Sequence, residues 1–212
     1  NEGPGSTVQH WVFSGGWTLV TAARNRDGNS GYDCLSASSV SKNPLVVGAV
    51  EDISGGYSSP SGVVMSSFSA WGPTDDGRIK PDIVANGVGL TSSLETSNTA
   101  YGSLTGTSMA APSVTGSIGL LLQHQQNLHG GDSIFTSTIK GIIIHTADEA
   151  GTDPGPDYRF GWGLMNTRKA ADLMTLDSAE GPESHVREFD VFTGDTILID
   201  FASTGDEPLK AT

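Results

Sequence analysis

The chain has 212 residues, of which 36% are hydrophobic and 28 are glycine, and its formal net charge at pH 7 is −13. This length accommodates one domain, or one domain and part of a second. The acidic charge argues against a nucleic-acid partner, because no basic stripe is present to neutralise phosphates. It favours a secreted or extracellular protein, since an acidic surface keeps such a protein soluble. No apolar run is long enough to cross a membrane, and the single cysteine, Cys34, excludes an intrachain disulfide.

The first half of the chain alternates apolar runs with polar loops. Ser6–Ser14 is predicted to form a short helix, and the apolar runs Trp17–Ala23 and Pro44–Val50 are predicted to form strands. Runs that are apolar on both faces suit a parallel sheet covered by helices on both faces. Shorter strands are predicted at Met65–Phe68 and Asp82–Ala85. Together with the helices that follow, this pattern indicates an α/β fold.

The second half of the chain is mainly helical up to Met174. Helices are predicted at Ser108–Leu128, at Ile134–Ala147, and from a cap at Asn166 or Thr167 to Met174. The first of these is apolar nearly all round up to Leu122. A helix of that kind belongs in the centre of a domain.

The chain after Met174 is predicted to leave the first domain. Residues 177–184 are polar and contain a Gly-Pro pair, which is typical of a linker. Strands are predicted at Phe189–Val191 and Thr196–Phe201, the second with alternating apolar residues. We therefore expect residues 1–176 to form one domain and residues 185–212 to begin a β-rich one.

The chemistry of the chain is expected at Ser108. The segment Gly106–Pro112, with sequence Gly-Thr-Ser-Met-Ala-Ala-Pro, places this serine where a loop turns into a helix. Free backbone N–H groups and the positive end of the helix dipole are available at such a point. A serine becomes a nucleophile when a base takes its proton and donors stabilise the resulting oxyanion. On spacing alone, however, a serine at a helix start is more often a cap.

The segment Gly106–Pro112, followed by Val114 and Gly116, resembles the serine motif of the subtilisin-like serine proteases, the subtilases. The resemblance implies that Ser108 is the catalytic nucleophile of a serine endopeptidase acting on polypeptide substrates. It also implies a three-layer α/β fold, of which this chain holds part, followed by the start of a β-sandwich.

The strand Trp17–Ala23 and the two residues after it resemble the family's apolar strand that ends in Ala-Gly-Asn. This match implies that Asn25 donates a hydrogen bond to the oxyanion. Arg24 stands where the family usually has glycine. The substrate-binding residues implied by the resemblance are Ala22, Ala23, Arg24 and Thr107.

Three further segments resemble scaffold parts of the same family. They are Pro44–Val50, Phe68–Pro73 with Lys80–Ala85, and Phe160–Asn166. These matches extend the resemblance over roughly Leu19 to Met174 and assign no catalytic role to the residues within them.

The family's Asp and His motifs lie upstream of its asparagine strand, and neither occurs in this chain. None of the five histidines has family support as the base; they are His10, His124, His129, His145 and His185. The chain also begins at Asn1 without an initiator methionine or signal peptide, which suggests a processed or excised piece. The expected partner is therefore an N-terminal half of the protease that carries Asp and His. Alone, the chain is predicted to show little or no turnover.

A second interpretation stays open, in which the chain is a non-catalytic pseudoprotease or peptide-binding module. No cofactor and no metal ligand are assigned to this chain. Calcium is common in the family and is an expectation for the full-length protein. Glu51 falls near a position that is acidic in one weaker family site, but it is interpreted as a solvated surface acid.

Overall fold

The computed structural model describes residues 18–25, 32, 34–131, 133–181, 184–199, 205 and 212. The helix predicted at Ser6–Ser14 lies outside these residues. Five strands and three longer helices are present among the described residues: β1 Val20–Ala22, β2 Leu45–Val50, β3 Ile83–Asn86, β4 Leu90–Ser93, β5 Tyr101–Leu104, α1 Thr107–Leu128, α2 Thr136–Thr146 and α3 Thr167–Glu180.

The centre of the fold is a parallel sheet with strand order β1-β2-β3. Every residue of β2 is buried, as expected for a strand that is apolar on both faces and has a neighbour on each side. Alternate residues of the sheet pack with α1, α2 and α3 in one core cluster. On the opposite face, Val50 and Val84 pack against residues from loops, namely Val63, Met65, Ala150 and Phe160. The predicted α/β architecture with a parallel sheet is confirmed, but the described helices pack on one face of the sheet, and loops instead of the expected helices pack on the other.

Helix α1 is buried on one face only, so the prediction that it is buried in the centre of the domain is wrong for its other face. Its buried apolar side chains, Ala110, Ala111, Val114, Ile118 and Leu121, recur at helical spacing. By contrast, Leu120 is 68% exposed and Leu122 is 37% exposed. The reason is that the sheet and α3 cover a single side of the helix in the described part of the chain.

Helix α3 is longer than predicted and takes over part of the expected linker. Asn166 caps its start, because Asn166 Oδ1 accepts a hydrogen bond from the Lys169 N–H at 2.9 Å, and the helix continues to Glu180. Asp177 is therefore a buried helical residue. Its Oδ1 accepts hydrogen bonds from the backbone N–H groups of His185 at 2.7 Å and Val186 at 2.9 Å. These bonds hold the chain after the helix against the first domain.

The described residues 184–199 contain no strand, so neither predicted strand is present there; the end of the second one, Asp200 and Phe201, lies outside the described residues. Large apolar side chains in this region are exposed, among them Phe192 at 73% and Leu198 at 88%. A strand needs a neighbour to bond its backbone, and none is present here among the described residues. The β-rich domain remains a prediction.

Two local differences concern the loops before α1. The strand predicted at Met65–Phe68 is reduced to one isolated bridge between Met65 and Val50. The antiparallel hairpin of β4 and β5 was not predicted. Its strands are rich in Ser, Thr and Gly and carry few apolar residues, which weakens the pattern that identifies strands.

Candidate active site

Ser108 lies at the start of α1 and is exposed to solvent. The helix follows Gly106, whose carbonyl accepts hydrogen bonds from the N–H groups of Met109 at 2.9 Å and Ala110 at 3.3 Å. Within the described part of the chain, the Ser108 N–H has no acceptor. The exposed hydroxyl of Ser108 and its backbone N–H, which lacks a described acceptor, therefore lie together at the positive end of a helix of 22 residues.

Asn25 reaches this helix start from the end of β1. Its Oδ1 accepts two hydrogen bonds from Thr107, one from the backbone N–H at 2.8 Å and one from Oγ1 at 2.8 Å. A backbone N–H needs an acceptor, so the oxygen of the Asn25 amide must face Thr107. The Nδ2 donors then point away from Thr107, and they have no acceptor among the described residues. The structure thus brings together the two residues that the sequence predicted as catalytic.

Thr107 is 1% exposed, and its hydroxyl donates to Asn25. Among the other residues predicted to bind substrate, Ala22 is half-buried, Ala23 is 0% exposed and Arg24 is exposed. The carbonyls of Ala22 and Ala23 both accept from Ser39 Oγ, at 3.0 and 3.4 Å.

Gly87, which sequence reasoning did not single out, supports the loop before Ser108. Its carbonyl accepts a hydrogen bond from the Gly106 N–H at 2.8 Å. A Cβ atom at this position would lie 2.5 Å from the Ala49 Cβ and 2.8 Å from the Gly106 carbonyl oxygen. The loop before Ser108 can therefore approach β2 and β3 this closely only because residue 87 is glycine. A glycine two residues after the strand predicted at Asp82–Ala85 was the available signal.

Arg24 has a φ of +107°, the only positive φ of a non-glycine residue among those described. Its carbonyl accepts from the Ala70 N–H at 3.0 Å, and Asn25 forms a bridge with Ser69. Backbone contacts on both sides hold the conformation. A side chain at such a φ costs of order 1–3 kcal/mol.

We expect Arg24→Gly to stabilise the fold by roughly 1 kcal/mol, because relief of the strain exceeds the added entropy of an unfolded glycine. Arg24→Ala is the matched control, since it removes the guanidinium but keeps the Cβ at the same φ. Chemical denaturation of both variants measures the difference. Equal stabilities of the glycine and alanine variants would contradict the strain argument.

No described histidine lies at Ser108. His124 Nε2 contacts Thr175 Oγ1 at 2.8 Å, His185 Nε2 contacts Glu180 Oε2 at 2.8 Å, and His145 Nδ1 contacts Thr212 Oγ1 at 3.1 Å. His129 caps the far end of α1, roughly 30 Å from Ser108 at 1.5 Å per residue. His10 lies outside the described residues.

In the described ranges, no group of three or more His, Cys, Asp or Glu side chains could hold a metal ion. The Asp52 carboxylate, next to Glu51, accepts a hydrogen bond from Asn86 Nδ2, which lies 3.0 Å from its Oδ1. Nor does any helix in the part of the chain that the structure describes have the length and apolarity needed to cross a membrane.

Comparison with known sequences identifies the family to which the chain belongs. The sequence pattern of the subtilase family matches residues 5–163. The chain is 54% identical over 156 residues to the C5a peptidase of Streptococcus pyogenes serotype M18 (strain MGAS8232), covering 70% of this chain and 13% of that protein. It is 36% identical over 173 residues to the serine protease AprX of Bacillus subtilis (strain 168), covering 75% of this chain and 36% of AprX. The chain thus spans about a third or less of the length of these two relatives.

Solved structures agree on the fold. The prenylagaramide maturation protease PagA superposes with a TM-score of 0.59 and 25% identity, covering 77% of this chain and 52% of PagA. The protease domain of PatA gives a TM-score of 0.62 and 24% identity, covering 82% of this chain and 55% of that domain.

Proposed function

Because the chain belongs to the subtilase family, we propose that it hydrolyses peptide bonds through an acyl-enzyme on Ser108, as part of a serine endopeptidase. The observation that carries the proposal is the joint position of Ser108 and Asn25. An exposed hydroxyl lies at a helix start, and the Ser108 N–H and the Asn25 Nδ2 have no described acceptor beside it. A serine that only caps a helix does not need a neighbour such as Asn25, whose N–H donors lack a described acceptor.

The proposed reaction follows the template of serine proteases. Ser108 Oγ attacks the carbonyl carbon of the scissile peptide bond, and a base takes the hydroxyl proton. The carbonyl oxygen becomes an oxyanion, which accepts hydrogen bonds from the Ser108 N–H and Asn25 Nδ2. Collapse of the intermediate breaks the C–N bond, and the base returns its proton to the leaving amine. Water then hydrolyses the ester on Ser108.

The base and the carboxylate that orients it are proposed to come from a partner segment, the N-terminal half of the protease. Two surfaces support this proposal. The exposed side of α1 near Ser108 carries Pro112, Gly116 and Gly119, and a Cβ at either glycine would meet nothing within 4 Å. Strand β1 pairs only with β2 among the described strands, so its other edge is open to a further strand.

Without that partner we propose that the chain has little or no turnover, because loss of the base removes most of the activation of a serine. The polypeptide substrate is proposed to approach the end of β1, beside Ala22 and Arg24. Secretion is proposed as well; it is supported by the net charge of −13, which suits a protein that stays soluble outside the cell.

A non-catalytic, peptide-binding role is the second candidate, favoured by the lack of a histidine near Ser108 in the described residues. A fluorophosphonate probe, which forms a covalent bond with an activated serine, separates the two candidates. We expect Ser108 to be labelled rapidly when the chain is combined with its N-terminal half, and slowly or not at all when the chain is alone. Intact mass spectrometry measures the labelling.

Ser108→Ala in the combined sample is the control and should remain unlabelled. If the combined, folded sample with Ser108 intact also stays unlabelled, the endopeptidase proposal is rejected and the binding role is retained.

A further inference from the structure

The segment Lys80-Pro81-Asp82, which the proposed reaction does not use, contains a buried ion pair. The side chains of Lys80 and Asp82 are only 2% and 7% exposed. Lys80 Nζ lies 2.6 Å from Asp82 Oδ2 and donates to the Pro44 carbonyl at 3.1 Å. Lysine is almost never fully buried unless it is paired. Here the Asp82 carboxylate and the Pro44 carbonyl are the partners of the buried amine.

A second lysine shares the same carboxylate. Lys140 Nζ, from α2, lies 2.9 Å from Asp82 Oδ1 and also donates to the carbonyls of Lys42 at 3.0 Å and Pro44 at 3.3 Å. Asp82 Oδ2 accepts a further hydrogen bond from the Val46 N–H at 2.7 Å. With both lysines protonated, one buried carboxylate faces two ammonium groups and the cluster carries one excess positive charge.

The hydrogen bonds at Lys80 suit a neutral amine. Two acceptors contact Nζ, the Asp82 carboxylate and the Pro44 carbonyl. A neutral amine has two N–H groups, whereas an ammonium has three. The third N–H of an ammonium would lack a described acceptor in a site that is nearly closed to water, and an excess buried charge is costly.

We propose that the Lys80–Asp82–Lys140 cluster is a proton-linked latch, in which loss of one proton from Lys80 leaves a neutral amine beside a single Asp82–Lys140 ion pair and stabilises the fold in alkaline medium. The latch joins three elements. Pro44 directly precedes β2 and Val46 lies within it, Asp82 directly precedes β3, and Lys140 belongs to α2.

The charged groups around Lys80 support this direction of the effect. Burial is the main cause that lowers the pKa of Lys80, from 10.5 to about 8; Asp82 opposes the change, and Lys140 and Arg78 add to it. The Arg78 guanidinium is itself paired with Asp76 at 2.9 Å and bonded to the Val40 carbonyl at 2.8 Å.

The sign of the pH effect follows from linkage. Between about pH 8 and pH 10.5 the unfolded chain keeps a proton that the folded chain has lost, so stability rises with pH in this window. Below about pH 8 both states are protonated, and the contribution of Lys80 is least favourable and constant. From pH 7 to pH 10 the Lys80 contribution should lower the unfolding equilibrium constant roughly 50- to 100-fold.

Chemical denaturation of the whole chain at pH 7, 8, 9 and 10 tests the latch. Because other groups also titrate, the informative quantity is the difference between the native sequence and Lys80→Met. Lys80→Met should lose the roughly 50- to 100-fold alkaline stabilisation, whereas Lys42→Met, at an exposed lysine, should keep it. In Lys140→Met the stabilisation should move to higher pH, because Lys80 becomes the only lysine beside Asp82 and holds its proton more tightly.

Parallel pH profiles of the native sequence and Lys80→Met would overturn the proposal. Should Lys80→Met fail to fold, the native chain labelled with ¹³C-lysine provides a direct measurement by NMR. The Cε resonance of Lys80 is expected to titrate with a midpoint below about 9.5. A midpoint above that value overturns the latch.

Discussion

Asn25→Ala in the complete protease is expected to lower kcat by about 10²- to 10³-fold while leaving KM almost unchanged. This magnitude is the one known for removal of the oxyanion-hole asparagine of subtilisin. The physical reason is that Asn25 Nδ2 would donate a hydrogen bond to the carbonyl oxygen of the scissile bond. Because this oxygen becomes fully charged only in the transition state, loss of the hydrogen bond affects the chemical step. Steady-state hydrolysis of a chromogenic peptide measures both constants.

Thr107 provides a matched pair of variants for the same site. Thr107→Val removes one of the two hydrogen bonds that orient the Asn25 amide, and we expect a smaller loss of roughly 10-fold, because the Thr107 N–H still holds Oδ1. Thr107→Ser keeps the hydroxyl and should stay close to the native rate. If Asn25→Ala kept the native kcat, in a protease whose Ser108 is shown in a separate sample to react with the fluorophosphonate probe, the proposed role of Asn25 would be wrong.

Gly87→Ala is expected to destabilise the fold by about 2–3 kcal/mol and to reduce activity with it. The added methyl would lie 2.5 Å from the Ala49 Cβ and 2.8 Å from the Gly106 carbonyl oxygen. Overpacking of this kind costs about 1–3 kcal/mol, and here one of the colliding atoms is backbone that cannot rotate away. Relief of the contact must move Gly106, and hence the start of α1 and Ser108. Denaturation and peptide hydrolysis measure the two effects.

Gly141→Ala is the control for a methyl added elsewhere. A Cβ at this helical position would meet nothing within 4 Å, and replacing a helical glycine by alanine stabilises by up to about 1 kcal/mol. A Gly87→Ala protein with native stability and native kcat would show that the close contact at residue 87 does not position Ser108.

The parts of this protein that follow from local pattern were predictable. Strand β2 is a continuous apolar run, and it is buried as such a run requires. Asn166 was one of two residues predicted to cap the last helix, and its Oδ1 accepts a hydrogen bond from the Lys169 N–H. Ser108 was located by a motif of seven residues, and the helix begins beside it. These features depend on residues close together in the chain.

The incorrect predictions have a common cause. Each concerns a segment whose burial or structure depends on the residues that pack against it in the folded chain. Helix α1 is apolar nearly all round, yet Leu120 is 68% exposed, since the described neighbours cover only one side. Asp177 was assigned to a linker because the local sequence is polar, but its carboxylate accepts hydrogen bonds from the N–H groups of His185 and Val186. Periodicity and polarity do not report such contacts across the chain.

The sequence by itself determined the protease family, the α/β class and the serine at a helix start, since each follows from short segments of residues that are close together in the chain. Only the tertiary structure decided how Asn25 is held, because its two bonds go to a residue 82 positions away. It likewise revealed Gly87 as a support and joined Lys80, Asp82 and Lys140 around one carboxylate. Steric contact and burial of charge are properties of distance in space, and only folding brings these residues together.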